Sequence, residues 1–197
     1  LRQSIGGSGL GARLLLDEGQ AARDPLAPSA PLIFAFSPLV GSPLTTSAKF
    51  AVVSKSPLTN RINDSLAGSG FALAGKHAGG DAFVIVGRAR ELSVLIVDDG
   101  RVRIEGAGDL RGAACDVTEE TLRARLGPEY RIASIGPAGE CLVRYATISH
   151  DGRHAGRGGS GHPAGGGRVA RRRHPERQAP ARPGLRLQRI PRSGAQR

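Results

Sequence analysis

The chain has 197 residues, which is enough for one domain with a sizeable apolar core. Its two cysteines are too few for a disulfide framework or for the four thiolates of an ordinary iron–sulfur cluster. The formal net charge is +11, but residues 160–197 hold ten arginines and one acidic residue, so most of the excess belongs to this tail. No signal-peptide pattern and no apolar run of membrane-spanning length is present, and we therefore expect a cytoplasmic location without membrane partners.

The first half of the chain alternates short apolar segments with turns rich in glycine, proline and serine. Hydrophobic patterns predict helices at 12–18 and 71–77, and strands at 31–36, 49–54 and 81–86. Asn63, Asp64 and Ser65 are residue types that precede helices, and residues 66–70 are a small-residue approach to the second helix. The free backbone N–H groups at the start of that helix suit an anion.

The second half is predicted to contain a hairpin, one longer helix and two further strands. Residues 92–97 and 101–105 are rich in Val and Ile and flank an Asp-Gly turn, which is a strong hairpin signal. A helix is predicted at 118–126, capped by Asp116 or Thr118, and strands are predicted at 131–135 and 142–148. Strands dominate without a repeated strand-helix-strand rhythm, so we predict an α+β fold with mainly antiparallel sheets and short helices.

Three stretches carry a family resemblance. The central run from Leu44 to Ala89, the preceding segment DPLAPSAPLIFAFSPLVGSPLTTSAKF and the later segment ASIGPAGECLVRYATISHDGRHAGRGG occur in one order along the chain. Together they resemble the N-terminal domain of the tungsten-containing aldehyde:ferredoxin oxidoreductases over about residues 5–159. The family's domain has an additional strand before this point, so the resemblance implies that the start is truncated.

The resemblance implies a domain that forms the base for a tungsten or molybdenum bis-pterin cofactor. It implies an oxidoreductase that oxidises aldehydes or related substrates and passes electrons through a [4Fe-4S] cluster to ferredoxin. The ligands of that cluster are expected outside this chain, so we expect the chain to be inactive alone. No catalytic residue and no metal ligand is predicted here, and a homodimer is left open.

The resemblance also nominates the residues that hold the cofactor. Lys49 stands where better-known members have a pterin-contacting arginine, and a lysine keeps the charge but loses the bidentate fork. Gly68 keeps a backbone position near the pterin, whereas Leu66 replaces an asparagine. Arg157 and Gly158 lie in an AGRGG-like loop, which makes Arg157 the best phosphate-binding candidate.

Three other motifs are weaker. Residues 70–77 are one residue short of a P-loop, because His77 replaces the Ser or Thr that would ligate magnesium. Residues 156–161 fit GxGxxG, but no helix-forming run follows. His150 and His154 have a metal-ligand spacing, yet the glycines around them indicate a loop in which this spacing guarantees nothing.

Residues 1–159 are therefore predicted to be the cofactor-base domain, and residues 160–197 a Gly/Pro/Arg-rich tail. The tail has too few large apolar residues to offset its ordering entropy, which indicates disorder or a shift of reading frame. The alternative function is a noncatalytic basic module that binds nucleic acid through the arginines of the tail. Nucleic acid is the less favoured partner, because the arginines are not interleaved with aromatic residues.

Overall fold

The computed structural model describes residues 4–19, 23–98, 100–152, 154–157, 167–170 and 185–191. The helices are α1 (Gly7–Asp17), α2 (Gly70–His77), α3 (Cys115–Leu126) and α4 (Pro137–Glu140). The strands are β1 (Leu32–Phe36), β2 (Lys49–Lys55), β3 (Ile62–Gly68), β4 (Gly80–Gly87), β5 (Ser93–Asp98), β6 (Arg101–Gly106), β7 (Ala133–Ser134), β8 (Thr147–His150), β9 (His154–Arg157), β10 (Gly167–Ala170) and β11 (Leu185–Pro191). A 3₁₀ turn at Gly108–Leu110 lies between β6 and α3.

Within these residues the strands form two sheets. The first has the order β11-β4-β1-β2-β3, and the second has the order β6-β5-β10-β7-β8-β9. The described pairings are antiparallel except that between β10 and β5. The predicted α+β fold with mainly antiparallel sheets is confirmed.

Alternation of side chains along the strands builds separate apolar layers. Phe34 and Phe36 of β1 join the core between the two sheets, while Ile33 and Ala35 face the opposite side and pack with α1. On the outer face of the second sheet, a third apolar layer includes Leu122 of α3. Both sheets are therefore covered on their outer faces by a helix and share one core between them.

The centre of the core between the sheets is formed by phenylalanine rings, although the chain has few aromatic residues. Each of the five phenylalanines of the chain is 3% exposed or less. Their rings pack pairwise with centroids 5.3 to 6.3 Å apart. Such pairs add attraction beyond the burial of their area. Phe71 belongs to α2, so this cluster stabilises the packing of α2 on the first sheet.

Several predicted boundaries are wrong. Helix α1 begins at Gly7 rather than at residue 12, and α3 begins at Cys115. Neither Asp116 nor Thr118 caps α3, because its N-cap is Ala114, which makes no side-chain hydrogen bond. Helix starts are hard to place where the first turn has no capping side chain.

The approach to α2 is also different from the prediction. Residues 62–68 form the edge strand β3, which pairs along its whole length with β2. The exposed and half-buried residues of β3 alternate, as they do on an edge strand with one covered face. Polar residues such as Asn63 and Asp64 have low strand propensity, and the pairing with β2 overrides it.

The later strands are shorter than predicted. Only Ala133–Ser134 of the segment 131–135 is a strand. The segment 142–148 follows α4, and its strand begins only at Thr147 and runs to His150. The early apolar residues of this segment lie in turns, where Leu142 and Tyr145 are exposed, and their pattern does not distinguish a turn from a strand.

Two described segments lie in the region predicted as a tail. Strand β10 pairs with β5 and β7, and β11 pairs with β4. The other residues of 160–197 lie outside the described residues, so the domain boundary at residue 159 stays a prediction. No helix in the described part of the chain is both long and apolar enough to cross a membrane.

Close approach of α2 to the first sheet depends on Gly75. A Cβ atom at Gly75 would lie 2.1 Å from Cζ of Phe36, which is far inside van der Waals contact. We expect Gly75→Ala to lower the free energy of unfolding by about 1–3 kcal/mol, because overpacking forces the ring to move. Urea unfolding followed by circular dichroism measures this change.

Gly9→Ala in α1 is the matched control. A Cβ atom at Gly9 would meet nothing within 4 Å, so the substitution adds only helix propensity. We expect it to raise the free energy of unfolding by about 0.5–1 kcal/mol. Equal losses in the two variants would contradict the packing role of Gly75.

Candidate functional site

The candidate site is built around the Gly68-Ser69-Gly70 segment, where β3 ends and α2 begins. Ser69 is the N-cap of α2, and its Oγ accepts a hydrogen bond of 3.1 Å from the N–H of Phe71. The carboxylate of Asp151 accepts from the same N–H at 2.9 Å. The N–H of Phe71 is therefore not open to an anion, because two oxygen acceptors of the chain already occupy it.

The structure brings together Lys49 and Gly68, two of the residues that the family resemblance nominates. They are register partners on β2 and β3. A Cβ atom at Gly68 would lie 2.8 Å from Cδ and 2.9 Å from Nζ of Lys49, so the lysine side chain lies directly over the glycine. The absence of a side chain at Gly68 is what leaves this space for the ammonium group.

Arg157 and its neighbours approach from the second sheet. Arg157 is the last residue of β9, where it pairs with Thr147. A Cβ atom at Gly156 would lie 2.8 Å from Oγ of Ser65, so β9 packs directly against β3. The edge strands of the two sheets thus meet, and they bring the segment of Arg157 to the strand that carries Gly68.

The other predicted positions have different outcomes. Gly158 lies outside the described residues, so its role stays a prediction. Leu66, which replaces the asparagine of other family members, is 69% exposed on β3. Its apolar side chain adds no hydrogen bond to the site.

Arg131 is a site residue that sequence reasoning missed. Its side chain lies over Gly70, where a Cβ atom would be 3.0 Å from Nε and 3.4 Å from Cζ of the guanidinium. Residues 131–135 carry a strand-like pattern, and nothing in that pattern marks Arg131 as different from other surface arginines. Only the fold places it beside α2.

A buried polar network holds the turn between β8 and β9. Glu119 of α3 is 2% exposed, and its carboxylate accepts from the N–H of Gly152 at 2.6 Å and from the hydroxyl of Ser134 at 3.3 Å. The preceding residue, Asp151, has a φ of 54° and caps α2 through its carboxylate. Glu119 therefore positions the turn that satisfies the start of α2.

Burial shifts the pKa values of Glu119 and of His150, the residue that precedes Asp151. Desolvation raises the pKa of Glu119 above its ordinary value, although its hydrogen bonds to Ser149, Gly152 and Ser134 act in the opposite direction. Desolvation lowers the pKa of His150, which favours a neutral imidazole. Nδ1 of that ring lies 3.1 Å from Oγ of Ser69, and Nε2 has no hydrogen-bond partner among the described residues.

Two of the three weaker motifs have structural roles in the fold, and residues 158–161 of the GxGxxG motif lie outside the described residues. Lys76, the lysine of the incomplete P-loop, is buried in α2 and forms an ion pair with Asp81. The rings of His150 and His154 stack with centroids 5.3 Å apart, which is a packing arrangement. In the part of the chain that the structure describes, no group of three or more His, Cys, Asp or Glu residues is placed to hold a metal ion.

The raised pKa of Glu119 gives a pH dependence of stability. Above the ordinary value of 4.5, the folded protein keeps a proton that the unfolded chain has lost. The free energy of unfolding therefore contains a contribution that falls as the pH rises from this value through the folded-state pKa. We expect Glu119→Gln to remove this fall, as measured by urea unfolding across that pH range.

Glu120→Gln is the control for this pH dependence. Glu120 is adjacent on α3 but exposed, so its substitution removes a carboxylate without touching the network. The pH dependence of the Glu120→Gln variant should match that of the unchanged protein. An unaltered fall in the Glu119→Gln variant would show that Glu119 is not its source.

Comparisons with known proteins show which family the chain resembles. A family model described as aldehyde ferredoxin oxidoreductase, N-terminal domain, matches residues 1–170. The tungsten-containing aldehyde ferredoxin oxidoreductase of Pyrococcus furiosus is 43% identical over 159 residues, which cover 80% of this chain and 26% of that protein. The aliphatic sulfonate oxidoreductase WOR-like subunit of the same organism is 32% identical over 178 residues, with 82% and 28% covered.

A solved structure shares the fold. The active site complex BamBC of benzoyl coenzyme A reductase, in complex with 1,5 dienoyl-CoA, superposes with a TM-score of 0.80 at 34% identity. The match covers 85% of this chain and 26% of that one. This chain thus spans about a quarter of the length of the relatives it matches. The chain belongs to the aldehyde ferredoxin oxidoreductase family, and the part of the family that it represents is the N-terminal domain.

Proposed function

We propose that this chain is the cofactor-base domain of a tungsten or molybdenum bis-pterin oxidoreductase. The observation that carries the proposal is the position of Lys49, whose ammonium group lies over the bare backbone of Gly68 in a chain of this family. The whole enzyme would oxidise aldehydes or related substrates with ferredoxin as electron acceptor. Its [4Fe-4S] cluster would be held by residues outside this chain.

The residues at the site fit the phosphate-bearing part of such a cofactor. Lys49 is exposed and takes part in no ion pair among the described residues, so its charge is open to an anion. Gly68 has no side chain, which leaves the space over its backbone for the ammonium group of Lys49. Arg157, whose backbone ends β9, is the second cofactor-binding arginine or lysine that the family resemblance nominates.

When bound, the metal–pterin group supplies the redox chemistry, and the protein supplies binding and orientation. The residues of this chain act by holding phosphate charge at Lys49 and Arg157 and by fixing the backbone of Gly68 and Gly158. The names of the relatives point to aldehydes, an aliphatic sulfonate and a coenzyme A thioester. Because they share this domain, holding the cofactor is the function that suits all of them.

The chain spans about a quarter of the length of its relatives. The relatives have about three times as much further chain, which is where we place the cluster ligands and the groups beside the substrate. We therefore propose that this chain is inactive alone, in a cytoplasmic setting that keeps its thiols reduced. No observation on the described residues favours the alternative of a nucleic-acid-binding module.

Metal and pterin analysis tests the proposal directly. We expect the protein purified from its native host to contain tungsten or molybdenum by mass spectrometry, together with pterin fluorescence after oxidation. The ratio of pterin to metal should be that of a bis-pterin complex. Protein that contains neither metal nor pterin would overturn the proposal.

Substitutions at Gly68 and Lys49 test which residues hold the cofactor. Gly68→Ala places a Cβ atom within 2.9 Å of Nζ of Lys49, so it should displace the ammonium group and lower pterin retention several-fold. Lys49→Ala should have a similar effect, whereas Lys49→Arg should keep the pterin because it restores a bidentate donor. Pterin per protein is measured by fluorescence after oxidation.

Gly108→Ala is the control for Gly68→Ala. A Cβ atom at Gly108 would meet nothing within 4 Å, and Gly108 lies in the 3₁₀ turn, away from β2 and β3. It should retain as much pterin as the unchanged protein. Full retention in the Gly68→Ala and Lys49→Ala variants would exclude the assigned roles of these residues.

A further inference from the structure

Two cationic side chains lie over two glycines that are separated by one residue. The ammonium group of Lys49 covers Gly68, at 2.9 Å from the position of an added Cβ atom. The guanidinium of Arg131 covers Gly70, with Nε 3.0 Å from the corresponding position. Lys49 comes from β2 and Arg131 from the loop before β7, so different sheets supply the two charges.

The backbone of Ser69 places both cations on one face of the segment. Ser69 is almost fully extended, with φ −173° and ψ −177°. In an extended chain, residues i and i+2 face the same side and residue i+1 faces the other. The Ser69 hydroxyl contacts His150 and the N–H of Phe71. The extended backbone predicts that the Cβ directions of Gly68 and Gly70 share the other face.

Two extended residues span about 7 Å, so the glycine positions that the two cations cover are about this far apart. A phosphate accepts charge-assisted hydrogen bonds of about 2.8 Å on several oxygens, so a phosphate or diphosphate can lie between donors this far apart. The guanidinium can supply two parallel donors and the ammonium one compact charge. The spacing of the two glycines and the positive charges above them therefore suit a phosphate or diphosphate group.

No carboxylate of the described residues neutralises these cations. The ion pairs in this part of the structure involve other residues, and neither Lys49 nor Arg131 takes part in one. Asp151, the acidic residue at the start of α2, is engaged with the N–H of Phe71. The anion site is thus formed by two side chains rather than by the end of the helix.

We propose that Arg131 is a phosphate-binding residue of this domain and acts with Lys49 as a two-cation clamp across Gly68-Ser69-Gly70. The ligand class is a phosphate or diphosphate group. In naming the phosphate of the cofactor as its source, this inference rests on the proposed function. Free phosphate is the other source of the same chemistry.

Titration of the full chain with inorganic diphosphate tests the clamp. Amide signals of Gly68 and Gly70 in ¹⁵N-labelled protein report binding at this segment separately from binding to the arginines of the tail. We expect both signals to shift and saturate, and Arg131→Gln to weaken the affinity by about three- to tenfold. Arg131→Lys should recover part of this loss, because it restores the charge without the fork.

Arg111→Gln is the matched control, because Arg111 is an exposed arginine in the loop before α3 and its substitution changes the net charge equally. It should leave the affinity reported by Gly68 and Gly70 unchanged. An equal loss of diphosphate affinity in the Arg111→Gln and Arg131→Gln variants would show that the affinity depends on net charge alone. That result would overturn the clamp. Absence of diphosphate-induced shifts at Gly68 and Gly70 would also overturn it.

Pterin retention separates the two sources and the two proposals. If Arg131→Gln lowers both diphosphate affinity and pterin per protein, the cofactor is the source of the phosphate. If it lowers diphosphate affinity in a protein that never contains pterin, the clamp stands as a site for free phosphate and the proposed function fails. If pterin is present and Arg131→Gln changes neither quantity, the clamp fails and the proposed function stands.

Discussion

Packing of aromatic rings between the two sheets positions the rest of the molecule. The rings of Phe50 and Phe71 lie 5.3 Å apart, and His150 lies 5.1 Å from Phe50 and 6.4 Å from Phe71. These rings come from β2, α2 and β8, so the cluster joins both sheets and a helix at one place. Each ring is next in sequence to a site residue, namely Lys49, Gly70 and Asp151.

This adjacency explains how a small domain holds a precise polar surface. A buried ring has few conformations in a close-packed core, and the residues next to it in sequence are therefore held in position as well. The polar groups behind the surface are restrained as well, because Glu119 holds the turn at Gly152 and Asp151 satisfies the N–H of Phe71. The exposed cations of the site are thus carried by backbone segments that the core holds in place.

The part of the site that could be predicted rested on local patterns and on the family resemblance. Lys49 and Gly68 were nominated by position, and the structure brings them into contact through the register of β2 and β3. Arg131 was missed because its role depends on a contact across 61 positions of sequence, with Gly70. The strand β3 was missed because its polar residues follow turn statistics, which pairing with β2 overrides.

By itself, the sequence determined the α+β class, the strands β1, β2, β4 and the β5–β6 hairpin, and the family, because alternation, apolar runs and turn residues are local signals. Tertiary structure alone decided which sheet edges meet, which acceptor takes the N–H of Phe71, and which arginine lies beside the glycines. Those outcomes depend on the packing of residues distant in sequence, where a change of one position in strand register moves every side chain to the other face.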